Sequence, residues 1–123
     1  MADLNQLELR SYCSGSTSLE GELTKCLEKI FYTSQAELDK SQQKFFDALT
    51  NWYEDKQYIA VDKTRLKKTT QEFIKYRDLQ CDFAYSLGGR AIENALNMFK
   101  FSCLAELNFQ RTKQLDLYWA NFN

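Results

Sequence analysis

The sequence predicts an all-α protein, an antiparallel bundle of three long helices behind a short N-terminal arm. Three observations carry that expectation. The 123 residues include no Pro and only four Gly, so little in the chain interrupts a helix. Apolar side chains recur at threes and fours over long stretches, the period of a helix with one buried face. At 123 residues and 44% hydrophobic, the chain fits one domain and can bury roughly two thirds of its unfolded surface. The helical domain is expected over residues 18–123, with residues 1–17 as the arm.

Residues 1–16 read as irregular chain. Thr17 and Glu20 stand at capping-box spacing and would open the first long helix near Ser18. Its apolar row is Leu19, Leu23, Cys26/Leu27, Ile30, Leu38, Phe45, Leu49 and Trp52. The row thins at Ser34 and at Ser41/Gln42, which predicts a bend or a polar contact there. Asp55–Tyr58 break the pattern and read as a connection. The second helix is expected over Ile59–Tyr85, with Ile59, Leu66, Phe73, Tyr76 and Phe83 on its stripe. Gly88-Gly89 is the strongest punctuation in the chain. The third helix is expected from Arg90 to Trp119, with Ile92, Ala95/Leu96, Phe99, Cys103, Leu107, Leu115 and Tyr118 facing inward. Three long helices with short connections give an up-down-up bundle.

Composition narrows function before any motif is read. The chain has no His, which removes Ser-His-Asp and Cys-His catalysis, mixed Cys/His zinc sites and the commonest general base. Sixteen basic residues against 17 acidic ones give a net charge of −1, which argues against nucleic acid or an anionic membrane as the main partner. No apolar run approaches the roughly 20 residues of a membrane span. The composition fits a protein-binding role, without metal or other cofactor, better than an enzyme.

The four cysteines are Cys13, Cys26, Cys81 and Cys103, and none forms a Cys-x-x-Cys pair. They fit either four buried thiols in a reducing compartment or two disulfides in an oxidising one. The first 18 residues lack a signal-type apolar stretch, so the chain reads either as cytosolic or as a mature form with an added Met. Cys13 favours the second reading. It lies in a polar Ser/Gly/Thr-rich segment, where a staple to a helix explains it better than packing does.

The remaining side-chain groups read mostly as structure. Phe45, Phe46, Trp52, Tyr53, Phe73, Tyr76, Phe83, Phe99, Phe101 and Phe109 are expected to pack the core, with Phe46, Phe101 and Trp119 the best candidates for an exposed patch. The acidic pairs Glu20/Glu22, Glu37/Asp39 and Glu54/Asp55 read as solvated faces, Glu37 pairing with Lys40. The run Lys63, Arg65, Lys67 and Lys68 is flanked by Asp62 and Glu72 and reads the same way. Leu79–Ala91 is the most informative stretch. A Cys81–Cys103 disulfide would close a loop of about 23 residues across the Gly-Gly turn, worth roughly 3 kcal/mol. A turn so held makes a good binding tip, because little order is lost on binding. A tight helix connection is the other reading of the same glycines.

These residues resemble a known family. Gln71-Glu72-Phe73-Ile74, Tyr76-Arg77-Asp78 and Cys81, then Gly88-Gly89, then Cys103, Leu107, Arg111 and Leu115 at intervals of four, are similar to the LprI-type lysozyme inhibitor domain. Ser34-Gln35-Ala36-Glu37-Leu38-Asp39 resembles that family's Ala-Asp-x-x-Leu-Asn segment, and Cys13 and Cys26 fall where its first two cysteines fall. The resemblance covers residues 13 to about 118. The chain departs from the pattern at Phe73, where the family usually has Trp, at Asp39 (Asn) and at Gln42 (Tyr).

The resemblance implies an exported protein, periplasmic or at the cell surface, with its cysteines in disulfides. It implies a lysozyme or other peptidoglycan hydrolase as the partner, met by a monomer or homodimer. The favoured pairing is Cys13–Cys26 with Cys81–Cys103, each closing a local loop; Cys13–Cys103 with Cys26–Cys81 is the alternative. Arg77, Asp78 and Arg111 are expected to serve structure, Arg77 or Asp78 pairing across the bundle near Glu106 or Arg111. Leu87, Gly88, Gly89 and Arg90 form the expected partner-binding tip.

Overall fold

The computed structural model describes residues 3–15, 19–91 and 93–122. These form four helices and no strand: α1 (Gln6–Ser14), α2 (Glu20–Thr50), α3 (Lys56–Ser86) and α4 (Glu93–Phe122). The expected three-helix bundle with an irregular arm is therefore corrected to four helices, the first lying inside the arm.

Helix α1 forms because Asn5 and Glu8 make a capping box. The Asn5 side chain accepts from the Glu8 N–H at 2.9 Å, and the Glu8 carboxylate accepts from the Asn5 N–H at 3.2 Å. Leu9 and Cys13, four residues apart, share one face and are fully buried. The helix is docked at both ends. The Gln6 N–H donates to Glu106 at 2.8 Å, Arg10 donates to Ser102 at 2.9 Å, and Cys13 is bonded to Cys26.

Helix α2 runs unbroken through the places where its apolar row thins. Polar contacts, and no break in the helix, occupy them. Ser34 donates to the Phe31 carbonyl at 2.6 Å and accepts from Asn108 at 3.1 Å. Ser41 donates to Asp116 at 2.6 Å. The residue before the helix is Leu19 in extended backbone, with no side-chain cap. The expected capping box falls on Thr17, which lies outside the described residues.

The connection to α3 comes earlier than the pattern predicts. The Asp55 carbonyl accepts from the N–H groups of Tyr58 and Ile59 at 3.0 and 3.1 Å, so the helix starts at Lys56. Lys56, Gln57 and Tyr58 are exposed, which is why no apolar period marks this turn. At the other end, residues 87–91 form a turn, so α4 begins at Glu93 and not at Arg90. Ile92 lies outside the described residues. Helix α4 extends to Phe122, whose ring packs on Phe45 at 5.6 Å and Trp52 at 5.2 Å.

The contacts fix the directions of the helices. Ser34 meets Asn108, Ser41 meets Asp116, and Phe45 meets Phe122, so α2 and α4 run parallel. Cys81 meets Cys103 and Thr69 meets Arg111, so α3 runs against α4. Helix α1 also runs against α4, since Gln6 meets Glu106 and Arg10 meets Ser102. Helices α2 and α4 share the broadest interface. The four consecutive residues Ser102, Cys103, Leu104 and Ala105 are all buried, because α4 is enclosed by the other three helices.

Two core clusters result. Leu9, Cys13, Leu27, Ile30, Ala105 and Phe109 form one; Cys81, Ala84, Cys103 and Leu104 form the other. Phe31 and Phe101 stack at 6.1 Å and pack against both. Phe101 therefore joins the two cores and is not part of an exposed patch. Phe46 and Trp119 are also half-buried, Phe46 beneath the Lys63 and Lys67 ammonium groups and Trp119 beneath that of Lys44. By contrast Tyr53, Tyr76 and Phe83, expected in the core, are exposed. The inward residues of α3 are Arg77, Cys81 and Ala84.

Candidate functional site

Both disulfides of the favoured pairing are present. Cys13–Cys26 joins α1 to α2, and Cys81–Cys103 joins α3 to α4, with no free cysteine among the described residues. The second lies less than two helical turns from Leu87 and holds the α3–α4 turn in place.

That turn gathers the four candidate tip residues with unequal roles. Gly89 has φ +59°, the left-handed conformation that costs a side-chain-bearing residue about 1 kcal/mol. Gly88 is a close approach. A Cβ there would overlap the Leu96 side chain and touch the Phe99 ring at 3.5 Å. The glycines therefore shape and seat the turn. Leu87, 67% exposed, and Arg90, also exposed, present its chemistry. The Arg90 guanidinium has no hydrogen-bond or ion-pair partner among the described residues.

Arg77 is nearly buried and sits at a three-helix junction. Its Nε donates to an Asp78 oxygen at 2.9 Å, and Nη2 forms an ion pair with the same oxygen at 2.9 Å. Its Nη1 donates to Gln35 of α2 at 2.7 Å and to Asn108 of α4 at 3.1 Å. Asn108, fully buried, passes its own amide N–H to Ser34 and Gln35 at 3.1 and 3.2 Å. The expected fork to Glu106 or Arg111 is thus replaced by an adjacent carboxylate and two neutral amides. Glu106 instead accepts from the Gln6 backbone and from Gln110. Asn108 and Gln35 were not singled out from sequence. The available signal was an amide between the apolar residues Leu107 and Phe109.

Arg111 lies on the α3 side of α4, where it donates to Thr69 at 3.0 Å and sits over the Phe73 ring at 5.7 Å. Burial makes its guanidinium give up a proton more readily than usual.

Several of the charged side chains are taken up by neighbouring partners. Asp3 accepts from Lys113 at 2.7 Å, and Asp116 takes the Ser41 hydroxyl with Lys44 at 3.8 Å. Arg65 pairs with Asp62 and Lys68 with Glu72, both at 3.2 Å. Lys63 and Lys67 lie over the Phe46 ring at 4.5 and 5.2 Å. Among the described residues no group of His, Cys, Asp and Glu is placed to hold a metal ion, and no helix is long and apolar enough to cross a membrane.

One further surface is apparent only in the structure. Tyr76, Leu79, Phe83 and Leu87 make an exposed row along α3, Leu79 being 72% exposed. Their spacing of three and four is readable in the sequence, but it looks like that of a buried stripe.

A comparison with protein families matches residues 13–115 to the model described as Lysozyme inhibitor LprI. No curated protein and no solved structure matches the chain.

Proposed function

The chain belongs to the LprI family of lysozyme inhibitors, and from that membership we propose that it is an exported helical binding protein that sterically blocks a peptidoglycan hydrolase. The observation that carries this reading is the family match over most of the chain. Two disulfides fit an oxidising compartment outside the cytosol.

The proposed contact is the turn of Leu87, Gly88, Gly89 and Arg90. Glycoside hydrolases work with a pair of carboxyls facing a substrate cleft. An exposed leucine beside a guanidinium that has no partner among the described residues suits such a cleft, since the cation meets the carboxylates while the apolar side chain fills sugar space. The disulfide and the seated Gly88 keep the loss of order on binding small. No bond is made or broken, and the role asks nothing of a catalytic group, a metal or another cofactor.

The test is the clearing of a peptidoglycan suspension by a panel of lysozymes, with and without a molar excess of the oxidised protein. Selective protection against one class is expected. Leu87→Asp with Arg90→Glu should abolish it while leaving the thermal melt unchanged. No protection across the panel would sink the inhibitor reading, and protection that survives both changes would move the contact elsewhere.

The exposed α3 row favours a second reading, a periplasmic interaction or scaffolding module, possible as a homodimer. A dimer that persists on dilution in sedimentation velocity, and is lost on Leu79→Lys, would support it. A monomer at all concentrations would remove the homodimer.

A further inference from the structure

We propose that the hollow between α3 and α4 at Arg111 is a binding site for a carboxylate carried next to an amide, the chemistry of an N-acyl amino acid or a peptide C-terminus. The hollow holds about 320 Å³ and is lined by Phe73, Tyr76, Leu107, Gln110, Arg111 and Gln114. Phe73 lies about 21 Å along α3 from the turn at Leu87, so this site is separate from the proposed tip.

Three features of Arg111 point to an anion. Its Nε is buried and has no hydrogen-bond partner. Its one hydrogen bond among the described residues goes to the neutral Thr69 hydroxyl, leaving most of five guanidinium donors unused. No carboxylate of the described residues lies within ion-pair distance, although Arg65 and Arg77 each have one. A half-buried charge without a counter-ion has lost part of its hydration and gained little in return. The Phe73 face repays some of that. A carboxylate would repay the rest, since its two oxygens match the fork of the planar guanidinium.

The walls select what carries the carboxylate. Phe73, Tyr76 and Leu107 offer apolar surface to a side chain. Gln110 donates its amide N–H to Glu106 and so keeps its carbonyl oxygen for a ligand N–H. The Gln114 side-chain amide has no hydrogen-bond partner among the described residues and can both donate and accept. An amide adjacent to the carboxylate would meet these two side chains. A simple inorganic anion would leave them and the aromatic walls unused.

The experiment follows the Arg111 Nε–H resonance in nitrogen-15 spectra of the oxidised, full-length protein during titration. The probes are N-acetyl-leucine, its neutral carboxamide, and a tripeptide ending in leucine with a free or an amidated terminus. Saturable shifts at Arg111 and at the Gln114 side-chain amide are expected with the acids and not with the amides. Tighter binding of the acid tripeptide would identify the ligand as a peptide C-terminus, and binding of N-acetyl-leucine alone as a small free molecule. Arg111→Gln should weaken binding roughly ten- to a hundredfold, the loss of a charge-assisted contact. Gln114→Leu, on an exposed position, gives a second variant if Arg111→Gln disturbs the fold. Equal shifts with acid and amide, or non-saturating shifts shared by all exposed arginines, would overturn the proposal. The assay contains no hydrolase, so its outcome is independent of the inhibitor reading.

Discussion

Arg77 of α3 donates to Asn108 of α4 at 3.1 Å, and both side chains are closed off from solvent. Through Gln35 and Ser34 the same network reaches α2. It holds three helices in one register. Asn108→Ala should destabilise by about 3 kcal/mol, because Arg77, Ser34 and Gln35 each lose a partner while a cavity opens. Asp78→Ala should cost about 2 kcal/mol, because its carboxylate is 54% exposed but its loss leaves the buried Arg77 guanidinium without a counter-ion. Urea midpoints of the two variants check the order.

The two turn glycines should respond differently to alanine. Gly89→Ala meets open space and should cost about 1 kcal/mol of conformational strain. Gly88→Ala must displace Leu96 and should cost about 1–3 kcal/mol from overpacking. Repacking the site by Gly88→Ala with Leu96→Ala should not be additive with the single changes. Thermal melts of the three variants measure this. For the same reason loss of inhibition in a bulky Gly88 variant reports seating of the turn, and Arg90→Glu is the cleaner probe of contact.

Each disulfide should stabilise by about 3 kcal/mol in the chain-entropy model. The losses should differ in place. Replacing Cys13 and Cys26 by Ser should raise hydrogen exchange mainly in α1, a helix of nine residues too short to persist undocked. Replacing Cys81 and Cys103 should raise it in α3, where only Arg77, Cys81 and Ala84 are buried.

Two surface carboxyls should hold off protonation longer than ordinary ones as pH falls. The hydrogen bond from Lys113, with its charge, holds Asp3 below its ordinary 3.8. Hydrogen bonding from Lys68, with the charge of Lys75, holds Glu72 below 4.5. In both cases the unfolded chain takes up the proton at the higher pH. Their contributions are therefore complete above the ordinary values and are lost as pH falls through the lower folded ones. Carboxyl-carbon titration by NMR should give midpoints below 3.8 and 4.5, and Lys113→Gln should return Asp3 towards 3.8.

The long helices and the Gly-Gly turn were legible because period and punctuation are local properties. The first helix was not, since only Leu9 and Cys13 face inward; yet Asn5 and Glu8 show the same spacing that was read at Thr17 and Glu20. The stripe of α3 misled for a different reason. Tyr76 and Phe83 are the apolar choice on that helix, but Cys81 bonded to Cys103 and the small Ala84 turn inward against α4. Burial of four residues in succession at Ser102–Ala105 leaves no period to read. Of the candidate site, the tip was visible as glycines, whereas the hollow at Arg111 depends on which side chains α3 and α4 bring together.

The placing of the two disulfides has one more consequence. One closes α1 onto α2 and the other α3 onto α4, so no covalent bond except the main chain at residues 51–55 joins the first pair of helices to the second. The protein is two separately cross-linked hairpins that meet mainly along α2 and α4, with α1 also docked on α4 and α3 on α2. A protease nick between Asn51 and Asp55 would leave both halves closed and held together by side chains alone. Halves made apart and oxidised apart would then be partners for each other, and their reassembly would measure directly the strength of the whole interface between them.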